Sequence, residues 1–99
     1  MSKIYLVYDE YCNDGDKWVE VFPCETMEVA IKKLQERLKW YLENTYLNQF
    51  VDEDLKLTAP DDLSYEDIWE VDEDSVEIWI ESMETSLNIH IAEEEIITE

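Results

Sequence analysis

Along the first twenty-odd residues, apolar and polar positions follow the period-two rhythm of β-strands. Ile4, Leu6 and Tyr8 interleave with Tyr5 and Val7, Asn13-Asp14-Gly15-Asp16 carries turn chemistry, and residues 17–22 are rich in Val and aromatics. The pattern predicts a hairpin in which a four-residue loop pairs Cys12 with Lys17, and with them Tyr8 with Val21 and Glu10 with Val19. In that register Ile4, Leu6, Tyr8, Val19 and Val21 share one face, and Tyr5, Val7, Trp18 and Phe22 share the other. Both faces are apolar, so the pair is expected to be central in its sheet or to offer its second face to something else.

After Pro23 the period changes. Met27, Ala30, Ile31, Leu34, Leu38, Tyr41 and Leu42 recur at helical spacing, Thr26 stands where an N-cap belongs, and Glu25 and Glu28 lie beside the positive end of the helix dipole. One long helix over residues 27–44 follows, with Trp40 off its apolar stripe and residues 46–50 docked against the domain. Residues 52–74 read as loop with one short helix over 65–70, because Ser64 followed by Asp67 resembles a capping box and Ile68 and Trp69 could anchor it. Alternation then returns in Val76, Ile78 and Ile80 against Glu77, Trp79 and Glu81, and in Leu87, Ile89 and Ile91 against Asn88, His90 and Ala92. The expected fold is a single α+β domain over residues 1–99: a small antiparallel sheet of about four strands, in the order β-β-α-β-β, with one long helix packed on one face.

Composition agrees with one compact core, since the 99 residues are 45% hydrophobic and include four Trp, six Tyr and two Phe. Little of the chemistry of active sites is visible. Gly15 stands alone, so no glycine-rich phosphate cradle exists. His90 is the one general base of the usual kind, and beside Asn88 on a strand it reads as a packing or surface residue. Asp72-Glu73-Asp74 and Asp52-Glu53-Asp54 lack the glycine and the closing bidentate Glu of an EF-hand loop. In the hairpin register Cys24 lies opposite Tyr5, about 23 Å from Cys12 at the usual strand rise, so two free thiols are expected and no zinc set. No cofactor is expected. The apolar run near the start, residues 4–8, is far short of a signal h-region or a membrane span, which points to a soluble, cytoplasmic chain without a membrane role.

Charge changes the picture most. Seven Lys and Arg face 27 Asp and Glu, a net charge of −20. Residues 1–51 hold nine acids and six bases, whereas residues 52–99 hold eighteen acids and Lys56 alone. Direct binding of nucleic acid, which needs cations to neutralise phosphates, is not expected. A chain so loaded repels itself unless salt or a cationic partner screens it. In size and charge it resembles the acidic DNA-mimic inhibitors of phages and mobile elements, the anti-restriction and anti-CRISPR proteins, whose carboxylates occupy a groove meant for nucleic acid. That resemblance implies a non-enzymatic inhibitor whose partner is a cationic nucleic-acid-binding protein such as a nuclease. The charge of residues 52–99 itself gives the expected contact residues, Asp52, Glu53, Asp54, Asp61, Asp62, Glu66, Asp67, Asp72, Glu73, Asp74, Glu77 and Glu81, with Trp79 as an apolar anchor between Glu77 and Glu81.

The rival from another class is an interaction module or adaptor that binds through an aromatic sheet face lined by Tyr5, Trp18, Phe22, Trp79 and His90, or that uses this face to form a homodimer. A segment such as residues 46–50 or the stretch around Trp69 could instead cover that face. A small hydrolase working through carboxylates is a third reading, but with so many acids their spacing identifies no pair.

Overall fold

The computed structural model describes residues 2–52 and 64–96. The N-terminal alternation folds as β1 (Ser2–Asn13) and β2 (Asp16–Cys24), paired so that Cys12 meets Lys17, Tyr8 meets Val21 and Glu10 meets Val19, as the side-chain pattern requires. The loop is tighter than four free residues, because Asn13 and Asp16 are themselves partners. Asp14 and Gly15 alone make the turn, with φ of 49° and 90°. Positive φ at both central residues is the geometry that matches the twist of a two-residue hairpin.

Helix α1 spans Met27–Asn44, and the Thr26 hydroxyl accepts the Val29 N–H at 3.1 Å. Its buried stripe is Ala30, Leu34, Leu38, Tyr41 and Leu42, narrower than the spacing alone suggests, since Met27 is exposed and Ile31 only half-buried. A 3-10 turn over Tyr46–Phe50 follows at once and buries Leu47 and Phe50.

The C-terminal alternation gives β4 (Ser75–Ile80) and β5 (Thr85–Ile96), joined through a 3-10 turn at Glu81–Met83. A fifth strand, β3 (Ile68–Val71), lies on the outer side of β4, with Trp69 opposite Ile78 and Glu70 opposite Glu77. The short helix expected over residues 65–70 is therefore corrected: the chain turns at Ser64 and enters a strand. One half of the capping box does form, since the Asp67 carboxylate accepts the Ser64 N–H at 2.9 Å. Its other oxygen accepts the Glu81 N–H at 2.8 Å, and that bond ties the segment to the end of β4 instead of starting a helix.

All pairings are antiparallel and the strand order is β2-β1-β5-β4-β3. One sheet face meets α1 and the Tyr46–Phe50 turn through Val7, Tyr11, Val76, Ile78, Ile80, Leu87 and Ile89. Burying each such aliphatic side chain stabilises by about 1.5–3 kcal/mol, so this layer supplies the main driving force. Among the described residues no element packs on the opposite face. There Leu6, Tyr8, Val19 and Val21 occupy the β1–β2 side, and Glu70, Glu77, Asn88 and His90 the β3–β5 side. Cys12 and Cys24 are free thiols, opposite Lys17 and Tyr5.

Candidate partner-binding surface

Nine acids and no base lie between positions 64 and 84; the β3–β4 hairpin and its ends carry eight of them along one border of the sheet, and Glu84 lies in the β4–β5 connection. Asp72, Glu73 and Asp74 form the turn of that hairpin, closed by the Asp72 N–H donating to the Ser75 carbonyl at 2.8 Å. Glu70 and Glu77 are direct cross-strand partners in the middle. Like charges placed opposite one another destabilise a sheet, so this pair is held against its own repulsion. Glu66, Asp67 and Glu81 gather at the far end, where the Trp79 indole N–H donates to Glu81 Oε2 at 2.8 Å. On one face, carboxylates two residues apart along a strand are about 7 Å from each other, and cross-strand partners are about 5 Å apart.

The ion pairs among the described residues all lie elsewhere. Lys3 meets Glu93, Lys17 meets Glu10, Lys33 meets Glu36, Lys39 meets Glu43, and Arg37 meets both Asp9 and Glu20. Cations thus neutralise acids on α1, β1, β2 and β5, while within the described structure the acids of β3, β4 and their connections have no cationic partner.

Of the residues expected to contact a partner, Glu66, Asp72, Glu73, Asp74, Glu77 and Glu81 are exposed and brought to this border. Trp79 is half-buried on the open face, beside Glu77 and bonded to Glu81. Asp67 is different: it is taken up by the Ser64 and Glu81 backbone. Burial pushes its carboxyl up, the N–H groups of Glu81 and Ser64 pull it down, and the balance lies below the usual Asp value. Asp52 is exposed beyond the Tyr46–Phe50 turn, on the other side of the undescribed stretch. Glu53, Asp54, Asp61 and Asp62 lie outside the described residues.

The single aromatic face expected of an interaction module is not formed. Tyr5, Trp18 and Phe22 point to the helix side, whereas Trp79 and His90 belong to the opposite side, because their strand registers differ in parity. His90 is exposed and stacks on Tyr8 with ring centroids 5.0 Å apart. It also lines a shallow hollow of about 220 Å³ with Glu70, Asp72, Glu77 and Asn88. No group of three or more His, Cys, Asp or Glu suited to a metal ion occurs among the described residues.

A second feature escapes the sequence pattern. Between the tip of the β1–β2 hairpin and the C-terminal end of α1 lies a cleft of about 360 Å³, walled by Tyr11, Trp18, Trp40, Tyr41 and Tyr46 with Glu20 and Arg37. Tyr11 and Tyr41 stack at 5.4 Å, Trp18 leans on Tyr11 at 5.8 Å, and Trp40 meets Tyr41 edge-on at 5.1 Å. Behind these rings Asp9 is wholly buried, its Oδ2 accepting from Arg37 Nε and from the Tyr41 hydroxyl, each at 2.9 Å. Arg37 also donates to Glu20 at 2.6 Å. Burial opposes the charge on Arg37, but Asp9, Tyr41 and Glu20 more than restore it and raise its pKa. For Tyr41, burial and then the bond to Asp9 push the phenol up to about 12. Asp9 Oδ1 accepts no hydrogen bond among the described residues.

Comparison of the chain with known protein families, with curated proteins and with solved structures finds no match. No helix among the described residues is long and apolar enough to cross a membrane.

Proposed function

We propose that the protein is an acidic inhibitor that occupies the cationic groove of a nucleic-acid-processing enzyme, of the kind phages and mobile elements direct against host defence nucleases. It works by occupancy and performs no reaction of its own. The observation that carries this reading is the run of nine acids between positions 64 and 84 that, among the described residues, finds no cationic partner. An acidic coat that served only solubility would not need cross-strand Glu70 and Glu77, which strain the sheet that presents them. The described molecule is 53 Å long, comparable with about fifteen base pairs at 3.4 Å each, so it can fill a duplex-binding channel. Carboxylates set along the β3–β4 border of such a body can displace the counterions of a Lys/Arg groove as phosphates do. Trp79, held by Glu81 beside Glu77, would add an apolar contact within the charged one.

Competition decides the matter. The purified chain should displace labelled duplex from a cationic nuclease at low salt, lose affinity steeply as NaCl rises, and fail after Asp72, Glu73, Asp74 and Glu77 are all changed to Lys. Partner binding of equal strength at low and high salt would instead establish an interaction module that does not depend on charge.

A further inference from the structure

We propose that the aromatic cleft at the C-terminal end of α1 is a socket for a cationic side chain, an arginine or lysine presented by the protein whose groove the acidic hairpin occupies. The identity of that partner rests on the proposed function; the chemistry of the socket follows from the cleft itself.

Three features select a cation. The first is the rings. Trp18, Trp40 and Tyr46 are 52%, 47% and 61% exposed, large apolar surfaces left open around the stacked Tyr11 and Tyr41. Ring faces carry negative potential, and a guanidinium already lies against this wall: Arg37 is 5.2 Å from the Trp40 centroid and 5.3 Å from that of Tyr41. The second is the helix end. Asn44 and Thr45 form part of the cleft; the Trp40 and Tyr41 carbonyls accept from the Asn44 amide and from Thr45, but the last turn of α1 contains no basic residue, so no positive charge of the helix itself offsets the negative end of its dipole. The third is local charge. Of the charged groups that line the cleft, Glu20 and Arg37 neutralise each other, and Asp9, buried behind Arg37, leaves the network as a whole one charge negative. A neutral planar ring would gain from the first feature alone. An anion would be opposed by the rings and the helix end, and could reach Arg37 only by displacing Glu20.

Position favours the same occupant. Asn13 and Tyr46 also border a neighbouring hollow that carries Asp14, Glu81 and Glu84. The Asp14 N–H donates to the Glu84 carbonyl at 3.1 Å, which holds the hairpin tip against the β4–β5 connection. Both residues adopt positive φ, 49° and 48°, a conformation that non-glycine residues seldom hold. A basic surface drawn by these acids arrives next to the cleft, where aromatic contact supplies short-range anchorage that salt screens little.

The test is a titration of the full chain with Nα-acetyl-arginine N-methylamide, followed through the tryptophan indole N–H signals in NMR spectra, with the neutral citrulline analogue as control. The Trp18 and Trp40 signals should shift saturably in the millimolar range while those of Trp69 and Trp79 stay in place, and the citrulline analogue should bind more weakly. Trp40→Leu should weaken the arginine probe by about two- to fivefold, the worth of one exposed cation–π contact. Equal response to both probes, no saturable shift, or shifts confined to Trp79 and the acidic hairpin would overturn the socket. Should Trp40→Leu fail to fold, the contrast between the two probes on the unaltered chain decides alone. Displacement of duplex is scored separately: a chain that takes the arginine probe in the cleft but never competes with nucleic acid overturns the proposed function and keeps the socket, and the converse overturns the socket alone.

Discussion

Asp9 is the one buried acid among the described residues, and its place in the chain carries a signal. The β1 face that holds Tyr5, Val7 and Tyr11 must pass through position 9, so period-two reading puts a carboxylate under the helix. Arg37 and Tyr41, four apart on α1, are spaced to meet it on one helix face. A buried charge requires partners, and that demand, more than any motif, makes the Asp9–Arg37–Tyr41 group legible. Exposure of Trp18, Trp40 and Tyr46 is not legible in the same way, because an aromatic at a strand or helix position reads as core until the covering element is known. The network has a pH signature. Tyr41 titrates near its ordinary value of 10.0 when unfolded and at about 12 when folded, so the folded state holds the proton more tightly. Its contribution is complete below the unfolded value and is lost as pH rises through the folded one, an alkaline decline of about 2–3 kcal/mol. Tyr41→Phe should be less stable than the unaltered chain at neutral pH by about 1.5–3 kcal/mol, since a hydrogen bond to a carboxylate is removed. The two stability curves should converge between pH 10 and 12 in chemical denaturation. A constant gap across that window would mean that Tyr41 does not hold Asp9.

Elements were legible in proportion to their length. The twelve-residue β1 and β5 and the eighteen-residue α1 each run for enough residues to repeat their period several times. The register of β1 on β2 was fixed by which faces are apolar and by turn chemistry at Asp14-Gly15, both local properties. The four-residue β3 is too short to express a period, and the Ser64-to-Asp67 spacing before it imitates a helix start. Its identity is decided by pairing outside its own four residues: the next strand, β4, has a border to pair with, and Asp67 reaches the Glu81 N–H at the end of that strand. Asp67 is accordingly a clip and not a free contact. Asp67→Ala should lower stability by about 1 kcal/mol, as loss of a capping carboxylate does, and should speed amide exchange at Trp69 and Glu70. Because its carboxyl lies below the usual Asp value, the contribution is present above pH 4 and is lost as pH falls through the lowered folded value. Unchanged exchange in β3 would show that pairing with β4 suffices without the clip.

At the scale of the whole molecule, stability and binding are expected to respond to salt with opposite signs. The chain carries −20, and the five cations that form ion pairs among the described residues do so with acids of α1, β1, β2 and β5, so within the described structure repulsion concentrates in the β3–β4 hairpin and its connections. Raising ionic strength from 0.01 to 1 M shortens the screening length from about 30 Å to about 3 Å, below the roughly 5–7 Å between neighbouring carboxylates. The same ions weaken the exposed salt bridges, but these contribute little singly, and with so large a net charge the relief of repulsion wins. Thermal midpoints should therefore rise with NaCl by several degrees, each kcal/mol of relief giving about 4–8 °C in a domain of this size. Glu70→Gln together with Glu77→Gln removes the like-charged cross-strand pair, and should raise stability by about 0.2–1 kcal/mol and flatten its salt dependence. The same double change should weaken displacement of duplex from a cationic groove, because two of the carboxylates that stand in for phosphates are gone. A protein stabilised by neutralising these acids and disabled by the same substitution holds them for its partner and not for its fold. If the double variant were more stable and competed undiminished, Glu70 and Glu77 would be dispensable for binding, and attraction would have to come from the Asp72-Glu73-Asp74 turn or from the Asp14, Glu81 and Glu84 end of the sheet.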